Sequence, residues 1–241
     1  MYSIPEGLIN DLQRARRSIY SDALKIEQLQ SSNTFDTTLQ RVTYHFPTAL
    51  PAGSKAELSI AFGGKLTGAM AGYYRASWEH EGKENFYALT QFEVHLVRGL
   101  YHPQLIIYST KPTAARRAFP CWDEPSLKAT FAIALISRAD TVNLSNMPAI
   151  SEAVYIPGDK ASTDLASLFS GLNTQEDAWK ITRFQTTPPM SSYIVAYANG
   201  HFKYLEKSVM MPLSGKPLPL RIYGPWMQKW KAQKLLTSVL G

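Results

Sequence analysis

The chain has 241 residues, 45% of them hydrophobic and 18% charged, with 15 prolines, one cysteine and a formal net charge of +6. That length allows a full core, hiding roughly 70 to 75% of the surface an unfolded chain exposes, and the composition excludes a disordered chain or a disulfide-stapled scaffold. No window approaches the ~20 consecutive apolar residues that cross a bilayer, and Arg14, Arg16, Arg17, Lys229, Lys231 and Lys234 confine much of the positive charge to the two flanks, against nucleic acid as a partner.

In chain order, Glu6, Asp11, Arg14, Arg16 and Arg17 stand where a secretory leader needs an uncharged core, so a cytoplasmic setting is expected. Residues Leu8 to Leu24 read as a basic helix. From Arg41 the period becomes two: Val42, Tyr44 and Phe46 alternate with Arg41, Thr43 and His45, and Leu58, Ile60 and Phe62 with Glu57, Ser59 and Ala61. The alternation returns at Phe131, Ile133 and Leu135 and at Tyr193, Val195 and Tyr197. Pro51-Ala52-Gly53, Gly63-Gly64 and Pro188-Pro189 supply turn signals. A polar stretch from about Gly158 to Asp177 reads as an exposed loop or long hairpin, and Trp226 to Leu240 as a second helix after Gly224-Pro225. The expected fold is all-β, a large antiparallel β-sandwich or saddle with short flanking helices.

Catalytic zinc in a hydrolase commonly needs His-x-x-x-His on one helix face and a third ligand. His80-Glu81 is followed by Glu84 where the second histidine should stand, and His45, His95, His102 and His201 form no such spacing. No nucleophile elbow, Walker loop or dinucleotide fingerprint occurs. No catalytic residue and no metal ligand is therefore assigned. Cys121 reads as a small buried hydrophobe. Asp123-Glu124, close to Arg116 and Arg117, reads as a structural ion-pair network. Gln91 and Glu93, as i and i+2 of an extended segment, point to one side and can present an amide and a carboxylate to a free ammonium group. A charge-assisted bond of that kind is worth ~1.5 to 3 kcal/mol. The same spacing also describes two polar residues on an exposed strand face.

Thr90-Gln91-Phe92-Glu93 and the run Pro112 to Pro125, P-T-A-A-R-R-A-F-P-C-W-D-E-P, together resemble the aminopeptidase N and puromycin-sensitive aminopeptidase family of zinc metallopeptidases. Ala71 to Trp78, Asn143 to Pro148 and Thr187 to Tyr197 agree in the same order. The resemblance implies an N-terminal β-saddle domain over residues 1–223 that lends residues to a substrate pocket. It implies that Glu93 binds the substrate α-amino group and that Gln91 lines the first side-chain pocket. Its partners would be peptide N-termini and a missing catalytic domain.

Zinc is the cofactor of the full-length family, and none is expected in this chain, because the family's Gly-Ala-Met-Glu-Asn and His-Glu-x-x-His motifs do not occur. The chain alone is expected to be inactive, and residues 224–241 form a divergent tail where a catalytic domain would begin. A non-catalytic protein-binding or regulatory module is the alternative. Residues 94–111 interrupt the motif, because the family runs from Gln-Phe-Glu straight into Pro-Thr-Ala-Ala-Arg-Arg. Valine codons begin with GT and one lysine codon ends in AG, so a retained intron could produce this insertion.

Overall fold

The structure, a computed structural model, describes residues 17–92, 113–156 and 178–225. These residues form fourteen strands and two short 3₁₀ turns, with every strand pairing antiparallel. The all-β expectation holds.

β1 (Arg17–Ser21) lies between β2 (Ile26–Leu29) and β5 (Ala56–Ile60). The helix expected over Leu8 to Leu24 is therefore corrected within the described residues: Arg17 to Ser21 is a strand, and a turn follows it through Leu24 and Lys25. The Ser21 hydroxyl accepts from the Leu24 N–H at 3.2 Å and its carbonyl from the Lys25 N–H at 2.8 Å. Strand pairing on both sides of β1 outweighs a weak helical periodicity, since Ser18, Ile19 and Tyr20 each face a partner on β2 and on β5. Residues 8–16, the second helix at 226–240 and the polar stretch at 158–177 lie outside the described residues.

The two alternating segments behave as expected. β3 (Ser32–Asp36) and β4 (Arg41–His45) make a hairpin in which Val42 and Tyr44 are half-buried and Arg41, Thr43 and His45 exposed. β5 likewise turns Leu58 and Ile60 inward and Glu57 and Ser59 outward. β6 (Gly72–His80) and β7 (Lys83–Gln91) pair over nine residues. They head a four-stranded sheet that continues through β12 (Tyr197–Gly200) to β9 (Val142–Ser145).

A three-stranded sheet places β11 (Trp179–Phe184) between β10 (Ala149–Tyr155) and β8 (Ala134–Arg138), and β13 (Lys203–Met210) pairs with β14 (Pro217–Gly224). Phe131 and Ile133 precede β8, where their carbonyls accept from the N–H groups of Thr187 and Phe184, each at 3.0 Å. The strand expected over Tyr193 to Tyr197 begins only at Tyr197, because Ser192–Ile194 is a 3₁₀ turn. Side-chain bonding displaces the strand there: the Asn146 amide donates to the Ile194 carbonyl at 3.0 Å, and its oxygen accepts from the Ala196 N–H at 2.7 Å.

A buried polar network joins the four-stranded sheet to the sheet of β10, β11 and β8. The Asn143 amide nitrogen donates to Ser137 Oγ at 2.9 Å and to Thr182 Oγ1 at 3.0 Å, and its oxygen accepts from Asn199 at 2.8 Å. Thr182 in turn donates to Glu152 at 2.8 Å. Buried polar groups are tolerated where each finds a partner, and this chain of bonds gives the sheets a fixed register. The apolar core is Phe92, Ala114, Ala115 and Val195, with Phe119, Phe131, Ile133 and Met190 among the side chains packed on it.

Candidate functional site

β7 delivers Thr90 and Gln91 to the end of its sheet, directly before the core residue Phe92. Thr90 Oγ1 accepts from the Tyr197 N–H at 3.1 Å, which ties the strand end to β12. Gln91 is half-buried and stands opposite Gly72 of β6. Gly72 has φ +74°, and a Cβ there would lie 2.7 Å from Arg117 Cβ and 3.1 Å from its carbonyl oxygen. Only glycine allows the backbone of Arg117 so close to the strand end.

The two halves of the interrupted motif therefore meet in space. Phe92 packs in one cluster with Ala114 and Ala115, and its ring lies edge to face with Phe119 at 6.0 Å. Ala115–Arg117 forms a 3₁₀ turn that aims Arg116 back at Asp123. Asp123 Oδ2 accepts from Arg116 Nε at 3.0 Å and from the Arg116 backbone N–H at 3.1 Å, while Arg116 Nη2 donates to the Asp123 carbonyl at 3.0 Å. Ser192 Oγ donates to the other carboxylate oxygen at 2.8 Å.

With its oxygens engaged from two segments and its side chain almost fully buried, Asp123 clamps the loop. The structural ion-pair reading of this motif holds for Arg116 and Asp123. Glu124 is exposed.

Among the described residues of the motif, Cys121 is not poised as a nucleophile. Burial, then the neighbouring Asp123 carboxylate, pushes the Cys121 thiol up to about 12, the opposite of what a nucleophilic cysteine needs. Burial also raises Tyr73 and Tyr197 above the ordinary phenol range, their rings 4.8 Å apart. Glu93 lies outside the described residues, so of Gln91 and Glu93, the pair expected to meet a free amine, the structure places only Gln91. Among the described residues no three histidine, cysteine or carboxylate side chains converge, so these residues offer no set that fits a zinc ion. No helix among them is long and apolar enough to cross a membrane.

Sequence reading did not anticipate the cavity beside the motif. It has a volume of about 770 Å³ and lies between the β3–β4 hairpin, β5 and residues 116–127. Only its inward rows, Val42 with Tyr44 and Leu58 with Ile60, were visible in the sequence; that they face residues 116–127 was not.

Comparison with known proteins follows the same residues. The model of the peptidase M1 N-terminal domain matches residues 10–101 and 102–194, and its two segments join inside the interruption at 94–111. Aminopeptidase 2 of Candida albicans is 36% identical over 190 residues, which cover 79% of this chain and 16% of that protein. Aminopeptidase M1 of Arabidopsis thaliana is 37% identical over 161 residues, covering 67% and 14%. Aminopeptidase N of Bos taurus is 33% identical over 162 residues, covering 67% and 13%. The chain thus matches about a sixth of the length of these relatives or less. On the family match, and on the rejoined motif at Phe92 and Ala114, the chain belongs to the peptidase M1 N-terminal domain family.

Proposed function

We propose that this chain is the substrate-recognition part of a zinc metalloaminopeptidase, an enzyme that removes N-terminal amino acids from peptides. In this reading it contributes contacts to the substrate α-amino group and leaves metal and catalysis to a domain outside it. The observation that carries the reading is the packing of Phe92 on Ala114 and Ala115, which holds the end of β7 against the Arg116–Asp123 clamp despite the interruption. Glu93 is the ammonium acceptor and Gln91 lines the first side-chain pocket. The domain occupies residues 1–223, and 224–241 is a divergent tail.

The test compares a short peptide with its N-acetylated form, by chemical-shift perturbation of the Gln91 side-chain amide in the full chain. The free amine is expected to bind and the acetylated peptide not to, and Glu93→Ala should weaken binding about 10- to 150-fold, the equivalent of one charge-assisted bond. Equal shifts from both peptides would overturn the reading, as would turnover of an aminoacyl-anilide by this chain alone.

A second reading, a non-catalytic binding module, draws on apolar side chains left in water. Ile150, Val154 and Ile156 are exposed on or beside β10, and Met210 and Leu213 at the tip of the β13–β14 hairpin. Such exposure fits a surface made to be covered. Both readings predict a partner on these faces; only the first predicts discrimination for a free amine.

A further inference from the structure

The β13–β14 hairpin carries apolar side chains where nothing in the chain covers them. Among the described residues neither strand pairs with a third, and every residue from Met210 to Pro219 is exposed. Met210, Met211, Leu213 and Leu218 are the large apolar side chains of that stretch, and Leu213 is fully exposed. The tip that carries them is closed by its own backbone: the Met211 N–H donates to the Lys216 carbonyl and the Gly215 N–H to the Met211 carbonyl, each at 2.9 Å. A tip already held in shape loses little entropy when something covers it.

Charge follows the same layout. Strand alternation puts Leu205 and Val209 on one face, opposite Ile222 and Leu218, and Lys207 lies between them on that face, opposite Leu220. From Lys207 to Leu220 there is no acidic residue, and a second lysine, Lys216, stands at the tip. Glu206, the carboxylate of the hairpin, points to the other face and accepts from Arg221. Behind it the exposed Tyr204 meets Tyr223 with ring centroids 5.2 Å apart. From tip to base the order is apolar side chains, lysines, then a tyrosine pair.

That order suits a lipid surface better than a protein partner. The cores of protein interfaces are depleted of lysine, whereas at a bilayer the lysine stem lies along the apolar layer while its ammonium reaches the phosphates. Lys207 is three residues behind Met210, roughly 10 Å at the rise of a strand, which is the depth to which an interfacial apolar surface sinks. Tyrosine rings settle at the headgroup level. We propose that the β13–β14 hairpin docks on an anionic phospholipid bilayer, with Met210, Met211, Leu213 and Leu218 among the acyl chains and Lys207 and Lys216 on the lipid phosphates. The apolar tip accounts for insertion, and the lysines without a nearby carboxylate account for the charge of the lipid.

The test sediments the full chain with vesicles of phosphatidylcholine alone and with vesicles of an equimolar mixture of phosphatidylcholine and phosphatidylserine. Each lysine at an anionic surface contributes about fivefold, so the mixed vesicles should bind at least about 25-fold more tightly. Lys207→Gln combined with Lys216→Gln should lose about that factor. Leu213→Ser keeps every charge and should weaken binding to the mixed vesicles about 10-fold or more, the loss of one buried leucine side chain. Because Leu213 is fully exposed, the urea midpoint of this variant should not move.

Arg14, Arg16, Lys229 and Lys231 in the flanks also attract anionic lipid. Adsorption through the flanks alone would leave Leu213→Ser equal to the parent, and that result would overturn the proposal. Equal binding to the two kinds of vesicle would overturn it as well, as would no binding to either. A dimer in sedimentation equilibrium that Leu213→Ser disperses, without vesicle binding, would place a second copy of the chain on the hairpin instead. Vesicle binding and discrimination for a free amine are read in separate experiments, so either can fail without the other.

Discussion

Phe92 and Phe119 meet edge to face with ring centroids 6.0 Å apart, although residues 93–112 separate the end of β7 from the segment that carries Phe119. Phe119 in turn meets Phe131 at 6.5 Å, so three aromatic rings run from the interruption into the core. The packing that joins the motif is thus made by residues on either side of the interruption.

Removing residues 94–111 should therefore leave the fold in place. Lengthening a loop costs about 0.6 kcal/mol per doubling, so its deletion changes stability little through chain entropy. Val94, Leu96, Val97, Leu100, Leu105, Ile106 and Ile107 make the segment apolar, and the deletion is expected to raise the soluble yield. Soluble protein per cell mass and the urea midpoint check this; a lower yield or a lost transition would show that the segment supports the core.

Arg116→Met should be among the most damaging single changes outside the core. It removes the Nε and Nη2 bonds to Asp123 and leaves a buried carboxylate held by Ser192 and one backbone N–H. Breaking one side of a buried pair costs about 3 to 5 kcal/mol. The double variant Arg116→Met with Asp123→Leu should recover part of that loss, because no charge is then stranded. Urea unfolding of Arg116→Met, Asp123→Leu and the double variant measures the coupling, and additive losses would mean that the pair does not act as a clamp.

The strands easiest to read in the sequence were those with one wet and one dry face. β4 and β5 have a solvent-facing row and an inward row, so period two survives in Arg41 to His45 and Glu57 to Ile60. β1 defeats the same reading because four of its five residues are buried, including Arg17 and Ser18, so polar residues occupy buried positions and the pattern suggests a basic helix. Tyr193 to Val195 fails differently: its side chains suit a strand, but Asn146 bonds the backbone into a turn from a distant segment.

The site was legible only in part, and for a physical reason. The Arg116–Asp123 pair is seven residues apart and announces itself as neighbouring opposite charges, whereas Ser192, the third member of the clamp, arrives from another part of the chain. The close approach of Gly72 to Arg117 is equally non-local. Neither contact leaves a spacing that a linear reading can find. The cavity belongs to the same class, since it depends on which hairpin stands opposite which loop.

Gly72→Ala and Gly82→Ala separate backbone strain from crowding. Both glycines have φ near +74°, where an alanine costs about 1 to 2 kcal/mol. Gly82 faces open space, while a Cβ at Gly72 would run into Arg117 Cβ at 2.7 Å. Gly82→Ala should lose only the strain, and Gly72→Ala at least about 1 kcal/mol more, because the Arg117 backbone must move. Paired urea midpoints check this, and equal losses would mean that the 3₁₀ turn yields freely.

Cys121 supplies a pH-dependent readout of the same loop. Its thiol is raised from 9.0 to about 12, chiefly by burial, with Asp123 adding to the shift. At pH 8 the folded chain should therefore hold about 1,000-fold less thiolate than the unfolded chain, and iodoacetamide should label it slowly until denaturant opens the loop. The sign for stability follows from which state keeps the proton. Above about pH 9 the unfolded thiol ionises while the folded one does not, so the unfolded chain is favoured increasingly as pH rises toward 12.

Cys121→Ala removes this dependence, and its urea midpoint should fall less steeply between pH 8 and 10.5 than that of the parent. Arg116→Met should speed labelling of the folded chain at pH 8, because it loosens the loop that carries the half-buried Cys121. Rapid labelling of the unaltered chain, or identical pH slopes for parent and Cys121→Ala, would show that the thiol is not held in a dry environment.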